Sequence, residues 1–486
     1  MRWAKPIKEL VHELPVTCPP NIGDIVISDV VEDTRDVTPG SLFIARPGGR
    51  FDGRDLIPLA KDAGAAAVLT DDLGSMKSCL PAIESSEPTA HGLVIADRLF
   101  EHPTDKLSVI AITGTNGKTT TATYLQHMIS PAAGLIGSIE IDDTLERTPS
   151  RLTTPRGLLL RRSMARMLAN GCRYLVMEAS SHGIALGRLN GLKLAGAIMT
   201  NLSGDHLDFH GTMDRYQAAK RALFASLPPT AFAVLNMDDP SAAVMAASTR
   251  ARLIRCRMRS EGFADVRVSR TSDGGIRLDG HDGTVAAHLS MPGDHNAMNL
   301  AQAHAAAMAI GATPSTDRLS TMPIPKGRLE PVDDEGIGAR IYVDFAHTDE
   351  ALQTALTALR PLVDDDGRLV VVFGCGGDRD RTKRPRMGSV ASRLADVVVV
   401  TSDNPRTERP GDIIRDVLSG VQDGRAVEVE PDRAVAIEKA IGMLGEGDIA
   451  LIAGKGHESV QLIGSRVVPF DDRQVAADIL GRSASS

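Results

Sequence analysis

A strand that runs into a glycine-rich turn and then a helix, within Ser108–Tyr124, constrains this chain more than any other stretch. Val109–Thr113 is apolar and rich in β-branched residues, which predicts a buried strand, and Gly114–Thr119 reads GTNGKT, which predicts a turn that opens a helix. The backbone N–H groups of such a turn can bind phosphate, Lys118 can reach its outer oxygens, and the Thr119 hydroxyl can ligate Mg²⁺. The usual phosphate loop has four residues between its glycines and this one has two, so a glycine turn without a ligand remains an alternative at this point.

The alternation of apolar runs and helical segments predicts an α/β fold. The 486 residues are enough for about three domains, which we place at 1–105, 106–333 and 334–486. Polar connections at Glu101–Lys106 and Val332–Ala339 mark the two boundaries. Both later domains are expected to contain a mainly parallel sheet between helices, and the first is expected to be a small α/β module with a strand at Gly92–Ala96.

Composition excludes several classes of protein. A net charge of −8 argues against a general nucleic-acid-binding surface, and no apolar run approaches the ~20 residues needed to insert into a membrane. The five cysteines are single, with no Cys-x-x-Cys pair, so no disulfide framework or zinc knuckle is expected. Charged residues interrupt the N-terminal segment, which therefore does not read as a secretory signal, and we expect a cytoplasmic enzyme.

Polar side chains follow two predicted strands of the middle domain. Glu178 ends the first of them and offers the oxygen ligand that Mg²⁺ bound to a nucleotide needs. The loop after the next strand carries His206 and Asp208, and His210 is a candidate for a third ligand in the same loop. Lys220 lies on the helix after them, either on its solvated face or turned into the site.

Three polar loops follow strands of the last domain. Phe373–Met387 carries a glycine turn and five basic residues, which suit carboxylates or phosphates. Thr401–Arg406 reads TSDNPR, and Gly454–Glu458 reads GKGHE. Since the carboxyl ends of parallel strands meet at one edge of a sheet, these loops are expected to converge on one crevice.

The guanine-reading motif of GTPases and the catalytic loop of protein kinases are both missing from the sequence. This leaves a phosphoryl-transfer or ATP-driven enzyme of another kind.

The motifs together resemble the Mur ligases, and within them the members that add the third residue of the peptidoglycan stem peptide. The resemblance runs from about Glu32 to Arg473 and rests on TGTNGKTTT, TTP, EASSH, TNLSGDHLDFH, YQAAKRALF, GRLE, VDFAH, GCGGDRD, SDNPR and GKGHE. It implies an N-terminal domain that binds a UDP-sugar, a central ATPase domain and a C-terminal Rossmann-like domain that binds an amino acid. It also implies ATP and Mg²⁺ as cofactors. We expect a monomer, although the sequence itself does not give the oligomeric state.

The activity implied is an ATP-dependent amide ligase. ATP would phosphorylate the free carboxylate of UDP-N-acetylmuramoyl-L-alanyl-D-glutamate, and the amine of meso-2,6-diaminopimelate would attack the acyl phosphate. We prefer diaminopimelate because Arg406 can pair with its distal carboxylate, which lysine lacks. The alternatives are the same reaction with L-lysine, a ligase like folylpolyglutamate synthetase, and a nucleotide-dependent regulatory protein without turnover.

The resemblance also assigns roles to individual residues. Those expected to act in catalysis are Lys118, Glu178, His206 and Lys220. The expected Mg²⁺ ligands are Thr119, Glu178, His206 and Lys220, the last as a carbamate formed with CO₂. Those expected at ATP are Gly114, Thr115, Asn116, Gly117, Lys118, Thr119, Thr120, Asn296, Arg328, Asp344 and His347.

The two other substrates have their own expected contacts. For the UDP-muramoyl-dipeptide they are Thr34, Arg35, Thr153, Thr154, Ser180 and Arg188. For the amino acid they are Arg379, Asp403, Asn404, Arg406, Gly454 and Glu458. Thr34, Arg54 and Leu186 depart from the family pattern, which usually has serine, histidine and glutamine there, so the departures concern binding of the nucleotide sugar.

Overall fold

The computed structural model describes residues 3–48, 52–72, 79–259, 261–272, 274–281, 283–332, 336–422 and 424–484. The chain divides into two compact units. The first comprises the described residues up to Ala111 together with Ser130–Ala195, and the second comprises Ile112–Ile129 and the described residues from Gly196 onward. The predicted domain boundary at 105/106 falls in a short helix, and the one at 333/334 lies outside the described residues.

The N-terminal part of the first unit is a small parallel sheet, β3-β4-β5-β6, with helices packed on it. Gly92–Ala96 is not a strand, as the sequence suggested, but lies inside α3. Pro88 starts this helix, and Gly92, Ile95, Ala96 and Leu99 are buried at helical spacing, which an apolar run alone does not distinguish from a strand. The elements are β1 Lys5–Pro6, α1 Ile7–Leu10, β2 Val26–Ile27, β3 Asp29–Val31, β4 Ser41–Ala45, α2 Ile57–Asp62, β5 Ala67–Thr70, β6 Ala82–Glu84, α3 Pro88–Leu99 and α4 Pro103–Lys106.

The middle part of the chain contributes strands to both units. In the first unit the order is β10-β9-β8-β11-β7, and in the second it is β12-β13-β14-β15-β16-β17, parallel as far as β15. The elements are β7 Ser108–Thr113, α5 Lys118–Ile129, β8 Ala133–Ile136, β9 Glu140–Asp142, β10 Arg147–Pro149, α6 Gly157–Ala169, β11 Tyr174–Glu178, α7 Ser181–Ala185, β12 Leu194–Met199, α8 Leu207–His210, α9 Met213–Ala225, β13 Phe232–Asn236, α10 Ala242–Ser248, β14 Arg252–Arg257, β15 Val266–Arg270, β16 Ile276–Gly280, β17 Gly283–Ala287, α11 Asp294–Ala309 and α12 Thr316–Ser320.

The C-terminal part of the second unit is a six-stranded sheet of order β18-β19-β23-β20-β21-β22, parallel except for β18. Its central strands are buried and valine-rich, as strands covered on both faces are. The elements are β18 Glu330–Val332, β19 Arg340–Asp344, α13 Asp349–Leu359, β20 Leu369–Phe373, α14 Lys383–Leu394, β21 Val397–Val400, α15 Pro410–Leu418, β22 Ala426–Val429, α16 Arg433–Gly442, β23 Ile449–Ala453, β24 Val460–Ile463, β25 Arg466–Pro469 and α17 Asp472–Ala484.

The predicted α/β class with mainly parallel sheets is confirmed. Because the strands run parallel, the loops that carry the candidate residues lie at their carboxyl ends. None of the helices in the described ranges is long and apolar enough to cross a bilayer.

Candidate active site

The predicted phosphate loop, Gly114–Thr120, connects β7 to α5 in the second unit. Gly117 has a φ of +82°, and a Cβ there would lie 2.6 Å from the side-chain oxygen of Asn299, so only glycine fits. The Lys118 ammonium donates to the carbonyl oxygens of the loop's first two residues, at 2.9 and 2.8 Å. The loop thus combines a fixed cation with the N-terminus of a 12-residue helix, an arrangement that favours a bound phosphate.

The walls of this loop come from the segments after β12 and from α9. Thr115 Oγ1 lies 3.1 Å from the Tyr216 hydroxyl, and the Asn116 N–H donates to Asn201 Oδ1 at 2.9 Å. Thr120 is buried in the first turn of α5. The buried Tyr216, which was not among the predicted site residues, therefore also fixes the loop.

Lys220 is buried on α9 and turned into the site, so the alternative of a solvated face is wrong. Its Nζ donates to the Gly114 carbonyl at 2.8 Å and lies 4.5 Å from the centre of the Tyr216 ring. Burial, and after it the charge of Lys118, hold the pKa of Lys220 well below its ordinary value of 10.5. Two lysines therefore share one carbonyl oxygen, and the deeper one favours its neutral form.

His206 follows β12 and has a φ of +56°. Its Nε2 lies 3.4 Å from Asp205 Oδ2, and its ring centre is 6.3 Å from that of Tyr216. Asp208 is exposed, and His210 is buried against the Tyr216 ring at 5.2 Å. Asp205 was not among the predicted site residues, although its place directly before His206 was a signal that could have pointed to it.

The GRLE segment reaches the phosphate loop from the side of the C-terminal sheet. The Arg328 guanidinium donates to Thr119 Oγ1 at 3.1 Å and lies 4.9 Å from the centre of the Phe345 ring. Asp344, at the end of β19, accepts from the Leu329 N–H at 2.7 Å. Burial raises the pKa of the Asp344 carboxyl, and the charge of Arg328 opposes this. Arg328 is thus hydrogen-bonded to Thr119, and Asp344 to the backbone of the residue that follows Arg328.

The other two residues predicted at the nucleotide are also buried. His347 Nδ1 lies 2.8 Å from the Phe345 carbonyl, and Lys383 donates to the His347 carbonyl at 2.8 Å. Burial, then the charge of Lys383, lowers the pKa of His347, which favours a neutral imidazole. Asn296 donates to the Pro292 carbonyl at 2.7 Å on the first turn of α11.

Glu178 lies in the first unit, at the end of β11. Its carboxylate accepts from the N–H of Ser138 at 2.7 Å and from the Ser138 hydroxyl at 3.0 Å. The same hydroxyl donates to Thr153 Oγ1 at 3.0 Å. Ser138 orients the carboxylate, yet nothing in the sequence marked it, because it lies 40 residues before Glu178 in a short turn.

The residues predicted to bind the dipeptide gather around the same strand end. Thr154 Oγ1 donates to the Glu178 carbonyl at 2.9 Å and accepts from the Ser180 N–H at 2.9 Å. Arg188 donates to the Thr154 carbonyl at 2.8 Å. Leu186, one of the departures from the family pattern, is exposed beside them.

Thr34 and Arg35 form a short 3₁₀ turn in the N-terminal part of the first unit. Asp33 caps this turn and forms an ion pair with Arg35 at 2.5 Å. The hydrogen bond from Arg35 lowers the pKa of Asp33 to about 2. Arg151, two residues before Thr153, donates to Asp36 at 3.1 Å, so the turn is tied to the loop that carries the dipeptide residues.

The loops predicted to bind the amino acid meet at the carboxyl edge of the C-terminal sheet. Asn404 Nδ2 donates to Glu458 Oε2 at 2.8 Å. Arg406 has a φ of +50° and donates to the Gly377 carbonyl at 2.8 Å. A Cβ on Gly376 would lie 2.9 Å from an Arg406 guanidinium nitrogen and 3.6 Å from Arg379 Cγ, so the two arginine side chains are neighbours. Burial, then the charge of Arg379, lowers the pKa of Arg406. Gly454 lies beside Asp403, with a φ of +117°.

Two buried cations that the sequence did not single out hold these loops. Arg433 donates to the Ser402 and Ala453 carbonyls at 3.2 and 2.9 Å and forms a buried ion pair with Asp472 at 2.7 Å. Lys455 contacts several of the predicted amino-acid residues. Arg433 lies at the start of α16, far from both motifs in sequence, whereas Lys455 is part of GKGHE itself.

The described residues offer few protein ligands for Mg²⁺. Nowhere in the described ranges do three His, Cys, Asp or Glu side chains come together to hold a metal by themselves. Mg²⁺ bound to a nucleotide needs few protein ligands and prefers oxygen, which the Thr119 hydroxyl supplies. The Lys220 amine fits such an ion only after it is converted into an oxygen ligand.

Three family domains match consecutive parts of the chain. "Mur ligase family, catalytic domain" matches residues 27–106. "Mur ligase middle domain" matches residues 112–307. "Mur ligase, glutamate ligase domain" matches residues 327–456.

Whole-chain comparisons agree with these matches. The UDP-N-acetylmuramoyl-L-alanyl-D-glutamate–2,6-diaminopimelate ligase of Geobacillus thermodenitrificans is 40% identical over 468 residues, which cover 93% of this chain and 94% of that protein. The ligase of the same name from Solibacter usitatus is 39% identical, with 96% of each chain covered. A solved structure of a ligase of this name has 29% identity and a TM-score of 0.64, with 99% of each chain covered. The chain belongs to the Mur ligase family.

Proposed function

We propose that this protein is an ATP-dependent ligase that joins meso-2,6-diaminopimelate to the D-glutamate of UDP-N-acetylmuramoyl-L-alanyl-D-glutamate. Relatives about 40% identical over nearly the whole chain carry the name of this activity. Family membership supports ATP and Mg²⁺ as cofactors and a role in peptidoglycan precursor synthesis.

One observation carries the choice of amino acid, namely the separation of charge in the C-terminal loops. Arg379 and Arg406 form a positive end, while Asp403 and Glu458 form a negative end. The buried Oδ1 of Asp403 has no hydrogen-bond partner in the described part of the chain, so it suits a ligand ammonium. Diaminopimelate has both a carboxylate and an ammonium at its distal end, whereas lysine has no distal carboxylate to pair with the two arginines.

The reaction proceeds in two transfers. A carboxylate oxygen of the dipeptide attacks the γ-phosphorus of ATP, the bond to the β-phosphate oxygen breaks, and ADP leaves. The neutral amine of the amino acid then attacks the acyl phosphate carbon, and the tetrahedral intermediate expels phosphate and a proton to give the amide. Lys118 and the N–H groups of its loop stabilise the charge on the phosphoryl oxygens, and bound Mg²⁺ supplies further positive charge there.

We also propose that Lys220 is carbamylated. Its lowered pKa favours the neutral amine, which is the form that attacks CO₂ to give a carbamate and a proton. The carbamate is an anion with two oxygens, so the amine between Lys118 and Tyr216 would become a ligand for Mg²⁺ together with Thr119 and His206. Glu178 stays a Mg²⁺ ligand predicted from the sequence.

The test is phosphate release from ATP with Mg²⁺, UDP-N-acetylmuramoyl-L-alanyl-D-glutamate and one amino acid at a time. We expect release with meso-diaminopimelate and little with L-lysine. Release with L-lysine alone would move the assignment to the lysine-adding enzymes. Release only with a folate and L-glutamate would indicate a folylpolyglutamate synthetase, and no release with any pair would contradict the ligase.

We further propose that the enzyme acts as a monomer in the cytoplasm, where ATP and the nucleotide substrate are available. Light scattering coupled to size-exclusion chromatography would test the first part, with a mass near 51.6 kDa expected. A mass of twice that value would contradict it.

A further inference from the structure

Lys455 is fully buried in the loop cluster at the carboxyl edge of the C-terminal sheet. Its ammonium donates to Asn404 Oδ1 and to Glu458 Oε2, each at 3.3 Å, and to the Val460 carbonyl at 2.6 Å. Asp403 Oδ1 lies 3.9 Å away. One cation therefore lies among three of the side chains that the proposed function assigns to the amino acid.

The contacts determine how the Asn404 amide is oriented. Its oxygen accepts from Lys455 and, at 3.0 Å, from the Leu462 N–H, and both donors can meet only the oxygen end of the amide. Its nitrogen must then point the other way, where it donates to Glu458 Oε2 at 2.8 Å. Without the ammonium, one of the two donors that fix the amide is lost.

The same contacts determine which oxygen of Glu458 is available. Lys455 and Asn404 both use Oε2, and Oε1 meets no donor in the part of the chain that the structure describes. Lys455 also offsets part of the negative charge of Glu458 and Asp403, which would otherwise repel each other in a buried setting.

We infer that Lys455 is a positioning residue that sets amino-acid specificity, by fixing Asn404 and Glu458 in the orientation in which they receive the distal end of the ligand. The inference rests on the proposed function. Lys455 does not touch the ligand itself, since its donors are used by Asn404, Glu458 and Val460.

A purely structural role would have a different signature. Loss of the contact to the Val460 carbonyl loosens the start of β24, and this would lower stability or the amount of active enzyme without a selective effect on one substrate. Loss of positioning raises the KM for the amino acid alone. Steady-state kinetics with each substrate varied in turn separate the two roles.

The experiment compares wild type with Lys455→Met, which keeps the length of the side chain and removes the ammonium. We expect the KM for diaminopimelate to rise about tenfold or more, as for a lost hydrogen bond to a charged group, with the KM for ATP within about twofold. Discrimination against L-lysine should fall as well. Lys439→Met is the matched control, because Lys439 pairs with Glu430 at the surface, and it should behave like wild type.

A double-mutant cycle shows whether the effect passes through Asn404. Lys455→Met/Asn404→Ala should raise the KM for diaminopimelate by less than the product of the two single effects, because in Asn404→Ala the lysine has only Glu458 left to orient. Additive effects would contradict the inference. So would a KM for diaminopimelate within twofold of wild type in Lys455→Met or, if that variant does not fold, in Lys455→Gln.

The wild type distinguishes this inference from the proposed function. If wild-type enzyme does not release phosphate with diaminopimelate, the proposed function fails. If it does and the lysine variants keep an unchanged KM, only the role of Lys455 fails.

Discussion

Lys220 and Lys455 are both fully buried lysines of the second unit, and their surroundings are opposite. Lys220 has a carbonyl oxygen and the face of a tyrosine ring, with the ammonium of Lys118 on the same carbonyl. Lys455 has the Glu458 carboxylate, the Asn404 amide and a carbonyl. Equal burial therefore accompanies an amine beside a second ammonium in one place and a cation beside a carboxylate in the other.

The difference shows how this fold uses one residue type for two purposes. Burial and then the charge of Lys118 lower the pKa of Lys220, against the opposing charge of Asp205, and favour the reactive neutral amine. Carboxylates around Lys455 stabilise its positive charge, so the side chain suits positioning rather than reaction. The partners of a buried lysine, and not its burial, indicate what it does.

Replacing Lys220 is expected to have the largest effect on turnover. Lys220→Met removes the amine on which we propose the carbamate and should reduce the rate of phosphate release about 10³-fold, as for loss of a preorganised charge at transferring phosphoryl oxygens. Lys455→Met should leave kcat within about tenfold. Added bicarbonate should not restore Lys220→Ala, whereas a short carboxylic acid that fits the space should restore part of its activity. Wild-type turnover in either Lys220 variant would exclude the carbamate.

Replacing Arg406 is expected to have the next largest effect, and it tests binding of the amino acid directly. Arg406→Ala removes a cation from the positive end of the amino-acid site, so the KM for diaminopimelate should rise about 100-fold. The KM for ATP should stay near its wild-type value, because the hydrogen bonds of Lys118 and Lys220 in the phosphate loop are unchanged. Arg415→Ala is the control, since that arginine is exposed on α15. Equal increases in both KM values would contradict the assignment.

Much of this site could be predicted from the sequence, because its residues lie in short motifs at strand ends. Gly117 and Lys118 belong to one turn, and Asn404 and Arg406 belong to another. Each short motif therefore indicated its ligand without information from distant parts of the chain. The prediction of a strand at 92–96 was wrong because an apolar run of five residues is compatible with both a strand and a helix. Only the tertiary packing of α3 distinguishes the two.

The residues that the sequence missed act across long separations. Tyr216 contacts Thr115 over 101 residues, and Ser138 contacts Glu178 over 40. Arg433 joins two loops and the start of α17 by contacts that no motif records. The orientation of Lys220 was open for a related reason, since a position on a helix does not tell which neighbour covers it.

The smallest expected effect is on stability, and it has opposite signs for the two lysines. In metal-free protein stripped of CO₂, Lys220→Met should raise Tm at pH 7 by about 2–5 °C, because a buried amine beside a second ammonium is removed and Gly114 keeps Lys118 as its donor. Lys455→Met should lower Tm by a similar amount, since Glu458 and Asp403 lose one of the cations near them.

The pH dependence gives the same comparison a second readout. The pKa of Lys220 is lowered on folding, so between that pKa and 10.5 the unfolded chain binds more protons than the folded one. The penalty is complete below the folded pKa and is relieved as pH rises toward 10.5, so Lys220 makes wild-type stability increase with pH over this window. Calorimetry from pH 7 to pH 10 should therefore show the gain in Tm of Lys220→Met over wild type shrinking with pH. A constant gain, or a shift of the same sign in both lysine variants, would mean that the two burial sites do not differ in the way their partners indicate.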